Sequence, residues 1–124
     1  MWTLEQLRSY CTSKLFVKET YPFDHVTLVF KVMNKLFALC NINSFPLELN
    51  LKCESELSEL LQAKYPAITP GYHMNKRHWI TLKLDDSIPD SEVCYLIDLS
   101  YELVTKRLSK AEKKRLVSIS PMSD

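Results

Sequence analysis

Residues Val26 to Cys40, VTLVFKVMNKLFALC, decide the fold. Val26, Leu28, Phe30 and Val32 alternate with Thr27, Val29, Lys31 and Met33. A period of two puts successive side chains on opposite faces, which is the signature of a β-strand. Asn34-Lys35 then marks a tight hairpin turn, without the glycine such turns usually carry at their second position. Leu36 to Cys40 is the return strand. After Pro46, LELNLKC (47–53) alternates cleanly, with Leu47, Leu49 and Leu51 inward and Glu48, Asn50 and Lys52 outward. A strand with one wet face belongs to an antiparallel sheet.

Helical signals lie on both sides of this run. Thr3 and Gln6 form a capping box ahead of Leu4 and Leu7, so a short helix should end between Cys11 and Lys14. Leu57, Leu60 and Leu61 repeat at helical spacing, and Pro66 and Pro70 stop that helix. Ile80, Leu82 and Leu84 alternate with Trp79, Thr81 and Lys83 in a further strand. Pro89 and Asp90 open the longest helix, with Ile97, Tyr101, Val104 and Leu108 on one stripe. With a strand at Tyr72 to Asn75, the order is α-β(3)-α-β(2)-α. This predicts an α+β domain over residues 1–108, an antiparallel sheet with helices packed on it. Residues 109–124 form a charged tail with too few apolar residues to pack.

The chain of 124 residues suits one domain, with 46% hydrophobic and 25% charged residues. A net charge of +1 argues against a uniformly basic nucleic-acid binder but leaves room for a local basic patch. Cys11, Cys40, Cys53 and Cys94 contain no Cys-x-x-Cys pair, which fits free thiols in a reducing compartment and gives no zinc-ligand spacing. MWTLEQLRSY has no apolar signal region, and no apolar run approaches the roughly 20 residues of a membrane span. A cytoplasmic monomer without membrane contact is the expectation.

Chemistry concentrates in ITPGYHMNKRHW (68–79), which holds the sole glycine, Gly71. Pro70-Gly71 reads as a type II turn with Gly71 at positive φ. Beyond it, His73 and Asn75 share one face, and Asn75-Lys76-Arg77-His78 forms a basic hairpin tip. Lys76 and Arg77 suit phosphates, and Asn75 or Arg77 suits a base edge; a merely solvated tip explains the same charges. Trp79 either stacks on a base or anchors a core edge. His73 and His78 lack the helical spacing of paired metal ligands, so no metal is expected. Lys31, Asn50 and Lys52 share the outward face and could join Lys76 there, although ordinary sheet surface accounts for them too. KRLSKAEKKR (106–115) holds six basic residues and one acidic one, suited to phosphates or to a solvated helix end. No serine or cysteine is paired with a histidine, and one glycine cannot build a phosphate loop. No enzymatic activity or cofactor is expected.

YPAITPGYHMNKRHW (65–79) closely resembles the signature segment of the MmcQ/YjbR family of small bacterial proteins. The resemblance extends through LVFKV (28–32), LFAL (36–39) and LNLKC (49–53), then through IPDSEVCYLIDLSYELV (88–104), so it spans roughly Met1 to Leu108. It implies the α-β(3)-α-β(2)-α fold of double-wing type, as read above, and a DNA-binding role with no attached enzymatic activity. One departure is Met33-Asn34-Lys35, where family members often have a glycine-containing turn. The function expected is non-enzymatic DNA binding through the basic tip. Candidate contacts are His73, Asn75, Lys76, Arg77 and His78, with Lys31 and Lys52 on the sheet. The alternative is a protein-interaction or chaperone-like adaptor that binds no nucleic acid.

Overall fold

The computed structural model describes residues 1–71, 75 and 77–119, with backbone alone at 118 and 119. The described elements are α1 (Leu4–Thr12), β1 (Val17–Thr20), β2 (Thr27–Val32), β3 (Lys35–Asn41), β4 (Glu48–Lys52), α2 (Ser55–Lys64), β5 (Ile68–Pro70), β6 (Trp79–Lys83), α3 (Asp90–Thr105) and α4 (Lys110–Ile119). The strands form one sheet in the order β1-β2-β3-β4-β6-β5. Every neighbouring pair is antiparallel. The α+β class holds, with two elements more than the sequence predicts.

The extra strand is β1, VKET, which pairs with β2 from Val17↔Val32 to Thr20↔Val29. Four residues, two of them charged, are too short to show a period. The extra helix is α4. The helix before it stops near Lys106, and α4 starts with its own capping box: Glu112 N–H donates to Ser109 Oγ at 3.1 Å, and Ser109 N–H to Glu112 Oε1 at 3.0 Å. Most of the segment read as a tail is therefore helical. The capping box read at the N-terminus is present too, with Gln6 N–H to Thr3 Oγ1 at 3.1 Å and Thr3 N–H to Gln6 Oε1 at 3.0 Å.

Two turns differ from expectation. Val32 pairs with Lys35, so the hairpin loop is Met33-Asn34, one residue earlier, with φ of 49° and 68°. Two left-handed residues make the type I′ geometry that matches strand twist; Asn tolerates it, and Met33 is strained. Gly71 does not have a positive φ, and it directly follows strand β5; the strand expected at Tyr72 to Asn75 lies outside the described residues apart from Asn75. The Gly71 N–H donates to Trp79 O at 2.9 Å, prolonging the β5–β6 ladder. A Cβ at Gly71 would lie 2.8 Å from Trp79 Cβ and 3.1 Å from its carbonyl carbon and oxygen. Close approach, not turn conformation, requires this glycine. Pro70 fits the edge strand because it faces Ile80 between the bonded pairs Ala67–Lys83 and Gly71–Trp79, where no N–H is called for.

One face of the sheet carries the main core. Leu28, Phe30 and Val32 of β2, Ala38 and Cys40 of β3, Leu49 and Leu51 of β4, and Ile80 and Leu82 of β6 pack with Leu7 and Cys11 of α1, Leu61 of α2, and Val93, Leu96, Ile97 and Val104 of α3. Leu60, expected on the inner stripe of α2, is instead 69% exposed. Ser100, fully buried on α3, accepts from Lys52 N–H at 2.9 Å and donates to Phe37 O at 2.6 Å, bolting the helix to β3 and β4. Tyr10 and Lys14 both donate to Asp98 Oδ1, and Tyr101 donates to Leu15 O at 2.8 Å, which ties the end of α1 to α3.

Candidate nucleic-acid interface

The opposite face carries a separate apolar cluster of Val29, Leu39 and Trp79, with Leu36 packed against it, and no residue of any described helix belongs to it. Strand register fixes what surrounds that cluster, because paired residues point the same way. One row runs Thr69, Thr81, Asn50, Leu39, Val29, Thr20 across the whole sheet. Thr81 Oγ1 donates to Asn50 Oδ1 at 2.7 Å, so Asn50 is engaged within the sheet. The next row, toward the Met33-Asn34 hairpin, has Trp79 opposite Lys52 and Leu36 opposite Lys31, with Lys31 opposite Lys18.

Among strand residues on this face, Lys18, Lys31, Lys52 and Lys83 stand against Glu48 alone, which is itself paired with Lys83. The acidic residues gather elsewhere: Glu56 and Glu59 on α2, Asp90, Glu92, Asp98 and Glu102 on α3. Glu19 of β1 points to the helix side and holds Arg8 of α1 through a two-pronged hydrogen bond. A net charge of +1 thus hides a sided distribution.

Lys52 is half-buried at the end of its strand. Burial first, then the positive charges of Arg107 and Lys35, lower the pKa of its ammonium. The row therefore turns a corner toward the end of α3. Lys35 is also one of the charges that depress the Glu112 carboxyl, behind the hydrogen bonds from Ser109, so α4 stands beside the same hairpin.

At the other end of the row, the segment from Asn75 to His78 is closed by His78 N–H to Asn75 O at 3.0 Å and by Arg77 N–H to Asn75 Oδ1 at 3.0 Å. Asn75 thus serves the turn. Arg77 and His78 are exposed, and His78 O accepts from Cys53 N–H at 2.8 Å, anchoring the turn beside β4. His73 and Lys76 lie outside the described residues. Trp79 is 8% exposed, which makes it a core edge and removes it as a stacking platform.

Sequence reasoning placed Lys31 and Lys52 on this face, as the register does, but not Lys18, because β1 was not read as a strand. It named Arg107 only within the basic 106–115 segment and Lys35 only in the hairpin turn, because the proximity of both to Lys52 is purely tertiary. All four cysteines are unpaired, and burial pushes Cys11 and Cys40 up to about 12 and Cys53 to about 11, so those three are poor nucleophiles. Among the described residues, no group of three His, Cys, Asp or Glu side chains gathers to hold a metal, and no helix is long and apolar enough to cross a membrane.

Comparison with known proteins gives the family. The YjbR family model matches residues 12–103. The uncharacterised protein YjbR of Escherichia coli K12 is 34% identical over 117 residues, covering 94% of this chain and 99% of that one. The uncharacterised protein YbdF of Escherichia coli O157:H7 is 39% identical over 102 residues, covering 82% and 83%. The crystal structure of Deinococcus radiodurans protein DR2400, a DUF419 domain, superposes with a TM-score of 0.88 at 45% identity, covering 94% of this chain and 88% of that one. A Pseudomonas syringae protein superposes with a TM-score of 0.71 at 30% identity, covering 83% and 99%. The chain belongs to the YjbR family.

Proposed function

We propose that this chain is a non-enzymatic DNA-binding protein that holds the phosphate backbone on the sheet face to which no described helix contributes. The observation that carries this reading is the cross-strand pair Lys18–Lys31 on the same sheet face as Lys52, which is paired with Trp79, with Arg77 and His78 exposed beyond it. Four strand spacings of about 4.8 Å from β1 to β6 span roughly 19 Å. Three or four cations displace a matching number of counterions, so binding is weak and falls with salt. Contact is to phosphate and not to sequence. Trp79 is buried, the side-chain oxygen of Asn75 is engaged in its turn, and Asn50 is engaged by Thr81. Among the described tip residues, Arg77 and His78 are the exposed candidates, while His73 and Lys76, which lie outside the described residues, stay candidates from the sequence.

Fluorescence anisotropy with a short random duplex at low salt tests this. The Lys18→Ala/Lys31→Ala variant should keep its thermal midpoint and flatten the salt slope by about two. An absence of binding at high micromolar wild-type protein sinks the reading. The adaptor reading has its own observation: Phe23 and Phe45 are 69% and 86% exposed, on loops joined by Ile42 N–H to Val26 O at 2.9 Å. Partners that survive nuclease in a pull-down and are lost in a Phe23→Ser/Phe45→Ser variant support it; partners lost with nuclease alone support DNA.

A further inference from the structure

Between α2 and α3, at the end of β4, lies a cleft of about 180 Å³. Its walls are apolar, from Leu57 of α2 and from Leu96, Leu99 and Leu103 of α3. Lys52 and Lys106 line it as well. Among the described residues, neither ammonium has a hydrogen-bond or ion-pair partner, and the charges felt by Lys52 are the positive ones of Arg107 and Lys35. Glu54 and Glu102 also line the cleft without an ion pair to Lys52, so a half-buried cation that feels the positive charges of Arg107 and Lys35 is relieved by an anion bonded to it directly.

We propose that this cleft binds a small organic carboxylate, with its head group on Lys52 and Lys106 and its apolar body along the leucines. The volume suits a chain of a few carbons, being below the several hundred Å³ of sites for larger molecules. Glu54 and Glu102 are both exposed. They repel a second negative charge on the ligand, so the ligand is a monoanion and not a polyphosphate. Lys52 ends β4, so its long side chain can reach either this cleft on the helix side or the lysine row on the other face. Resting on the DNA-binding reading, a carboxylate in the cleft draws the Lys52 ammonium from the row and weakens the hold on DNA. The cleft then regulates the sheet face.

The test is an NMR titration of the full chain with hexanoate, and with hexanol as the uncharged control. Hexanoate should shift the methyl signals of Leu57, Leu96, Leu99 and Leu103 and bind about tenfold tighter than hexanol, the effect of one charge-assisted hydrogen bond. Lys52→Met should bring hexanoate down to the level of hexanol. Lys106→Met, at an exposed position, gives the same comparison if the first variant fails to fold. Equal binding of the two ligands, shifts confined to other residues, or no shift at concentrations on the order of 10 mM overturns the site. This titration contains no DNA, so its failure and the failure of the DNA-binding reading are separate results. In the anisotropy assay, saturating hexanoate should weaken duplex binding by wild type. Unchanged affinity with the cleft occupied overturns the sharing of Lys52.

Discussion

The two faces of the sheet are made by the same strands, yet one carries the main helix-covered core and the other a small buried patch ringed by polar and charged residues. On the helix-covered face Phe30, Leu49, Leu51, Ile80 and Leu82 are all completely buried. On the other, threonines, Asn50 and lysines surround a patch of only Val29, Leu39 and Trp79 among the residues described. Adjacent residues on one strand therefore do different jobs. Phe30 holds the fold and Lys31 faces outward, although they are joined by one peptide bond. What the difference teaches is that stability and recognition can be altered independently, because neighbours on opposite faces share few partners.

The largest expected effect tests this within one strand. Phe30→Ala should lose about 3–5 kcal/mol of stability, through lost burial and the cavity left under α3. Lys31→Ala should cost less than about 1 kcal/mol, because this half-buried side chain gives up only part of its stem packing. Urea unfolding monitored by circular dichroism reads both. Comparable losses from the two variants would mean that the faces are not separate.

Ser100 marks the place where the faces are coupled, since its hydroxyl on α3 holds the backbone of Lys52. Ser100→Ala leaves the Lys52 N–H and the Phe37 carbonyl without this fully buried partner, and should cost about 1–3 kcal/mol. Thermal unfolding measures it. A loss near zero would show that α3 is held by apolar packing alone.

Much of this division was legible beforehand, because a period of two is a local signal. Leu28, Phe30, Leu49 and Leu51 announced one face, and Lys31, Asn50 and Lys52 the other. What failed has physical causes. VKET is too short and too charged to show a period, so Lys18 was lost with it. The Ser109-to-Glu112 capping box is a readable helix start, but the surrounding charge masked it. Pro70-Gly71 carries the residues of a type II turn, yet the same two residues suit an edge strand pressed against Trp79. Local chemistry cannot separate those cases, since the second depends on a backbone eight residues further on. The meeting of Lys52, Arg107 and Lys35 needs the whole fold.

Gly71→Ala sharpens the comparison at the sheet edge. The added Cβ meets Trp79 Cβ at 2.8 Å, and Trp79 belongs to the cluster on the face away from the main core. The variant should lose about 1–3 kcal/mol by overpacking, while main-core substitutions elsewhere leave the Trp79 emission unchanged. Tryptophan fluorescence in a Trp2→Phe background isolates that signal. An alanine variant with wild-type stability and unaltered emission would mean the edge yields without resistance.

The smallest effect concerns two neighbours in β1, Lys18 on the face away from the main core and Glu19 on the helix side. The hydrogen bond from the Arg8 guanidinium holds the Glu19 carboxyl below the ordinary glutamate value of 4.5. A depressed folded-state pKa stabilises the fold above the unfolded value, and that contribution disappears as pH falls through the folded value. Glu19→Gln should therefore be slightly less stable than wild type at neutral pH, with the two converging below pH 4.5. The difference is small because the Arg8 side chain is 49% exposed and water screens the pair. Asp24, Asp85 and Glu112, whose carboxyls are also lowered, remain in both proteins and cancel in the subtraction. Lys18→Gln has no acidic transition to lose, so its difference from wild type should be flat over the same range. Thermal midpoints measured from neutral pH to the acid limit of folding decide it. A Glu19→Gln curve parallel to wild type throughout would show that the Arg8 pair does nothing for α1, and that β1 is held by its ladder to β2 alone.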